Sequence, residues 1–170
     1  MGIAQSSETT NHGETAVATF DEFDSAILEA LQANARLSNR DLADRLGVAP
    51  STSLMRVRSL TSRGVITGFH AAVSLPALGR GVQAMLSVQV RPLSRSVIDR
   101  FKKWALALPQ VLSVYVVAGD DDFLVHVASA DIESLHAFLI DNFSQRREIV
   151  RFRSAIIYQH AQEHVIRELS

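Results

Sequence analysis

A chain of 170 residues with 47% hydrophobic and 21% charged content and a formal net charge of -1 has the makeup of an ordinary folded protein with room for one or two small domains. The absence of cysteine excludes a disulfide framework and thiolate metal sites and fits a reducing, cytoplasmic setting. No apolar run approaches a membrane span, so no membrane partner is expected, and residues 1–20 carry neither the basic nor the apolar region of a secretory signal, which argues against export.

Those first residues, 1–20, are polar, rich in Ser and Thr and without period, and read as a disordered tail. The segment 21–68 reads as a helix-turn-helix. Asp21 can cap a first helix over about 22–34, with Phe23, Ile27, Leu28 and Leu31 on one apolar stripe. Ser38 and Asp41 form a capping-box-like start for a second helix, whose Leu42, Ala43 and Leu46 precede a stop at Gly47. Pro50 then favours the first turn of a third helix, so that two helices are joined by a short turn containing glycine. In that third helix Leu54, Val57 and Leu60 are expected to face inward.

The charge pattern singles out the same helix. Between Asp44 and Asp99 there is no acid, while Arg45, Arg56, Arg58, Arg63, Arg80, Arg91 and Arg95 fall inside that window. One basic face on a near-neutral protein points to one anionic contact surface. Short hydroxyls and guanidinium forks without acids suit a helix in the major groove of double-stranded DNA, where arginine can bond guanine and a helix N-terminus can meet phosphate. The expected contact residues are Ser51, Thr52, Ser53, Met55, Arg56, Arg58, Ser59 and Arg63. The competing reading of the same residues is an amphipathic helix whose arginines are merely solvated. The apolar alternation in "VITGFHAAV" reads as a small wing or a linker strand.

Residues 69–80 are turn-rich and serve as a linker, and residues 81–160 read as β-α-β-β-α-β. Val82, Ala84, Leu86, Val88 and Val90 alternate with polar neighbours in a first strand ended by Pro92. A helix bears Val97, Phe101, Trp104 and Leu108, and the strands "VLSVYVV" and "FLVHVA" flank a turn at Gly119–Asp122. A second helix bears Ile132, Leu135, Phe138 and Leu139, and "IVRFRSAIIYQ" is the last strand, ahead of a C-terminal segment, 161–170. This is the ferredoxin-like order, giving an α+β chain: a winged helix-turn-helix followed by a four-stranded antiparallel sheet with both helices on one face. Apolar residues on both sides of several strands imply that the uncovered face is buried against a second copy, so at least a homodimer is expected.

Nothing in the chain reads as an enzyme, a metal site or a cofactor cradle. His160 and His164 have the spacing of a helical metal pair but no third ligand, and neither a nucleophile turn nor a glycine-rich phosphate loop is present.

The helix-turn-helix, with "GVITGFHA", "LPQVLSVYVVAGDDDFLV" and the closing ferredoxin-like strand, resembles the leucine-responsive regulatory protein/AsnC family from about Phe20 to about Gln162. The resemblance implies a DNA-binding transcriptional regulator that forms dimers, often rings of four dimers, and senses an amino acid at the contact between dimers. It carries effector binding to the hairpin loop, hence to Gly119, Asp120 and Asp122, and to Ser154 on the last strand. A plain hairpin turn also explains the loop's Gly and Asp content. Ala49 stands where relatives have a capping Ser, Met55 and Ser59 where they often have arginine, "QRREIV" replaces a Leu-Pro-Gly-Val-like turn, and Phe152 with Ser154 replaces a Thr-x-Thr pair. A bulkier or more apolar amino acid, or a lost sensing function, fits those changes. Two other roles stay open: a siroheme-type decarboxylase relative using His126 or His136, and a sensor module that no longer binds DNA.

Overall fold

The computed structural model describes residues 19–169, and the chain divides into two compact units, Met1–His70 together with Glu163–Ser170, and Ala71–Gln162. Apart from Thr19 and Phe20, the tail expected over residues 1–20 lies outside the described residues. No helix among those residues is long and apolar enough to cross a membrane.

The first unit contains α1 (Glu22–Ala33), α2 (Asn39–Leu46) and α3 (Pro50–Ser62). Local chemistry sets each boundary. Asp21 Oδ1 accepts the Asp24 N–H at 2.8 Å, and Ser38 Oγ accepts the Asp41 N–H at 3.1 Å, each satisfying one of the donors a helix start leaves open. Gly47 ends α2 in the left-handed conformation, φ 66°, where a side chain would be strained. Pro50 opens α3 without a side-chain cap from Ala49. Ile27, Ala30, Leu42 and Leu60 form the buried centre of this unit, and Leu28, Leu31, Val57, Val65 and Ile66 pack around it.

Three sequence expectations shift here. Leu54 does not join the core but is 38% exposed, whereas Ser53 is fully buried. At about 100° per residue, positions 53, 57 and 60 stay on one side of a helix, while position 54 lies about 120° round from position 60. Phe23 is likewise exposed and Asp24 turns inward in its place. The stretch 67–74 forms no strand. Val65 and Ile66 both donate to the Leu60 carbonyl, at 2.9 and 3.2 Å, which turns the chain at the end of α3. Beyond that point an extended segment is a strand only when paired, and residues 67–74 have no ladder partner among the described residues.

The second unit holds β1 (Val82–Val90), α4 (Arg95–Leu106), β2 (Val111–Val116), β3 (Phe123–Ser129), α5 (Ile132–Asn142) and β4 (Ile149–Ile157). The antiparallel sheet has the order β2-β3-β1-β4, with Leu86 opposite both Val125 and Ser154. Ala84, Leu86, Val88 and Val90 of β1 and Phe123, Val125 and Val127 of β3 are buried with Val97, Phe101 and Ala105 of α4 and Leu135, Phe138 and Leu139 of α5. Alternate strand residues share one face, so both helices cover the same side of the sheet. Phe101 stacks on Phe123 with centroids 4.1 Å apart, and the Arg146 guanidinium lies 4.1 Å from the Trp104 ring centroid while pairing with Glu148. The opposite face presents Gln83, Met85, Ser87, Leu124 and His126, all half-buried, with exposed Tyr115 beside them.

Leu60→Ala removes a fully buried side chain from the small core of the first unit. The expected outcome is a loss of about 2–5 kcal/mol in that unit. It is measured as an earlier denaturant transition by far-UV circular dichroism, with the fluorescence transition of Trp104, the single tryptophan and a residue of the second unit, left in place.

Candidate functional site

One face of α3 meets solvent along Ser51, Leu54, Met55, Arg58 and Ser59, and Met55 is 64% exposed. Arg58 has no ion-pair partner among the described residues. The exposed face therefore combines two apolar side chains, two hydroxyls and one unclaimed guanidinium. That mixture can bond base edges and contact a thymine methyl at short range. Thr52 is half-buried at the margin of this face.

The other arginines of α3 are turned away from it. Arg56 Nη1 donates to Asp21 Oδ2 at 2.6 Å and to Asp24 Oδ1 at 2.9 Å, and its guanidinium lies 5.3 Å from the Phe23 ring centroid. Hydrogen bonding to Asp21, then to Asp24, holds the Arg56 pKa above its ordinary value. The Asp21 carboxyl is held below its ordinary value first by the Asp24 N–H and then by Arg56. Arg63, the C-cap of α3, reaches Asp24 Oδ2 at 3.5 Å and donates to the Thr19 carbonyl at 3.3 Å. The acid-free window in the sequence is thus partly filled in space by acids that precede it.

The expected contact set is divided accordingly. Ser51, Met55, Arg58 and Ser59 share the exposed face, whereas Arg56 and Arg63 clamp α3 to α1. Ser53 is a correction: it is fully buried, its hydroxyl has no hydrogen-bond partner among the described residues, and it cannot reach a ligand from there. Sequence reasoning missed Leu54, which it assigned to the core, and Arg40, which is exposed and without an ion pair among the described residues. Asn39 Nδ2 donates to the Pro50 carbonyl at 2.7 Å, so the first turn of α2, with Arg40 next in sequence, lies against the first turn of α3. Arg40 fell outside the basic window because Asp41 and Asp44 follow it.

In the second unit the β2–β3 hairpin is stitched to its neighbours. Asp122 Oδ2 accepts the Val90 N–H at 2.8 Å and Arg91 Nη1 at 3.1 Å, and the Asp122 N–H donates to the Val88 carbonyl at 3.0 Å. Arg153 of β4 donates to Asp121 Oδ2 at 2.6 Å, and Gln89 Nε2 donates to the Asp120 carbonyl at 3.0 Å. The Asp120 side chain is exposed, and Gly119 adopts φ 137°, a conformation that favours glycine. Ser154 is exposed on β4, which β1 separates from β3, about 10 Å across the sheet. Phe152 packs against the core cluster.

The histidines take other roles. His126 Nε2 lies 3.0 Å from Gln83 Oε1 on the uncovered sheet face, and burial, then the charge of His160, lowers its pKa. His160 and His164 lie outside any helix, and no metal-holding group of three His, Asp or Glu occurs among the described residues.

The two parts of the chain match two family models: a winged helix-turn-helix DNA-binding model over residues 20–67, and the Lrp/AsnC ligand binding domain over residues 83–165. The chain is 40% identical over 140 residues to the HTH-type transcriptional regulator AldR of Mycolicibacterium smegmatis, an alignment covering 82% of each chain. The chain belongs to the Lrp/AsnC family. Among solved structures, a transcriptional regulator of Neisseria meningitidis solved as an L-Met complex superposes with a TM-score of 0.79 at 26% identity, over 86% of this chain and 94% of that one. AsnC of Escherichia coli gives 0.75 at 28% identity, over 88% and 99%.

If Arg58 neutralises a phosphate while Arg56 holds the helix, the two alanine variants will separate on DNA. Arg58→Ala should lower the slope of log affinity against log salt by about one. Arg56→Ala should leave that slope unchanged while lowering the melting temperature of the first unit.

Proposed function

We propose that this chain regulates transcription by laying α3 in the major groove of DNA as one of a two-fold pair, and that a free amino acid bound near the β2–β3 hairpin modulates that contact. The observation that carries the first part is the solvent-facing side of α3, where Arg58 is unclaimed by any acid among the described residues and Leu54 and Met55 stand beside small hydroxyls. Around it the helix has no acid of its own to repel a phosphate.

A two-fold pair needs a second copy, and the sheet face bearing Met85, Leu124 and Tyr115 supports one: both helices lie on the other side, leaving these residues without a layer over them. Larger assemblies of dimers belong to the same reading. For the ligand, the support is the Lrp/AsnC ligand binding model and the L-Met complex of the Neisseria relative. Asp120, with its carboxylate exposed, is the candidate for the ligand's ammonium, and the exposed Ser154 hydroxyl for a further hydrogen bond. Asp122 instead holds β1 and Arg91. Phe152, packed against the core beside Phe143, takes no part in that site. A DNA partner and a cysteine-free chain support a cytoplasmic working site.

Selection from a random-sequence duplex pool should enrich two symmetric half-sites spaced by about one helical turn or a multiple of it. Failure to enrich any duplex at about 50 mM salt would overturn the DNA-binding part. Independently, L-methionine, L-leucine and L-alanine at about 1 mM should be tested for a raised melting temperature, since a ligand that prefers the folded state stabilises it. At least one is expected to raise it, with the rise absent in Asp120→Ala; equal rises in both proteins would remove Asp120 from the site.

A further inference from the structure

The C-terminal segment, which the helix-turn-helix reading leaves without a role, lies on α1. Glu163 Oε1 accepts the N–H groups of His164 and Val165 at 3.0 and 3.1 Å, forming a local turn at its start. Gln32 then meets Ile166 twice, its Nε2 donating to the Ile166 carbonyl at 3.0 Å and its Oε1 accepting the Ile166 N–H at 2.9 Å. The Gln32 amide nitrogen also touches the Leu28 carbonyl at 3.2 Å. Arg167 grips Glu29 through Nε at 2.7 Å and Nη2 at 3.3 Å, and Ser25 Oγ approaches Glu168 at 3.4 Å.

Residues 25, 29 and 32 recur at helical spacing and meet 168, 167 and 166 in turn, so the segment runs antiparallel to α1 along one stripe. A side-chain amide paired with both groups of one peptide unit, followed by a fork on a carboxylate, fixes register as well as contact. The same helix offers Asp21 and Asp24 to the arginines of α3, about a quarter-turn away at Asp24.

Chain connectivity gives this contact a consequence. The backbone passes between the two units at His70–Ala71 and again at Gln162–Glu163, after β4 has ended at Ile157. A head attached only through residues 71–80 would hang on a single tether. We propose that residues 163–169 are a strap that docks on the Ser25–Glu29–Gln32 stripe of α1 and gives the DNA-binding head its second attachment, restricting the half-site spacings a dimer can span. The docking stands on the contacts alone; the restriction rests on the DNA-binding reading above.

The test uses the full chain and the variants Glu29→Arg, Arg167→Glu and their combination, with deletion of residues 163–170 as a variant that changes no residue of the head. In hydrogen exchange the Ile166 amide should be protected in the parent. Each single reversal should speed its exchange about tenfold or more, and the double reversal should restore it to within about threefold. An unprotected Ile166 amide, or a double variant as fast as the singles, overturns the strap.

With the duplex selected by the parent, five base pairs inserted between half-sites should cost the parent about tenfold or more in affinity and the single-reversal and deletion variants about threefold or less. This penalty is a ratio between two duplexes, so the altered head charge cancels. Equal penalties in all proteins overturn the restriction. A parent that selects no duplex overturns the DNA-binding reading instead, while the exchange measurement still decides the docking.

Discussion

The carboxylate of Asp24 is the fixed point of the first unit. Its side chain is only 12% exposed, yet it receives Arg56 on one oxygen and Arg63 on the other, from positions two helical turns apart on α3. Two grips along one helix set its rotation about its own axis, which a single contact cannot do. A carboxylate held this deep would be costly without its partners. Because Asp24 and Asp21 take Arg56, the opposite side of α3 is left to Arg58, Leu54 and Met55. What α3 can present to solvent is thus decided on α1, in residues on the far side of the helix.

The second unit follows a comparable rule. Its sheet has one face committed to Phe101, Phe138 and the strand valines, and the hairpin beyond β2 is tied down by side chains from β1 and β4. Asp122 spends its carboxylate on the Val90 N–H and Arg91, so the frame of the loop is built by one aspartate and its exposed chemistry is carried by another, Asp120. The division of labour separates what shapes the loop from what can touch a ligand.

Much of this was legible in the sequence, because local chemistry decided it. Asp21, Ser38 and Gly47 mark helix ends through bonds to residues three or four positions away, and the alternation of β1 fixes which of its residues are buried. The errors lie where distant residues decide. Leu54 looked like core because it is apolar and three residues from Val57, but the rotation imposed through Asp24 puts Ser53 inside. Arg56 looked available because no acid lies near it in sequence; its acids are more than thirty residues earlier. The stretch after Val65 looked like a strand because it alternates, but alternation supplies a face and not a hydrogen-bonding partner. Asp122 could not be told from Asp120 by spacing, since only the register of β3 against β1 brings its oxygen to Val90.

Gly119 leaves a separate mark. A methyl group placed there would meet nothing within 4 Å, yet φ 137° strains any side chain that L residues carry. The position is roomy and still intolerant. Change at this corner must therefore come through the decoration of a rigid bend, by exchanging the charged groups that follow the glycine, rather than through the path of the backbone. A chemist wishing to alter the surface charge of the loop would begin at Asp120 and leave the turn itself alone.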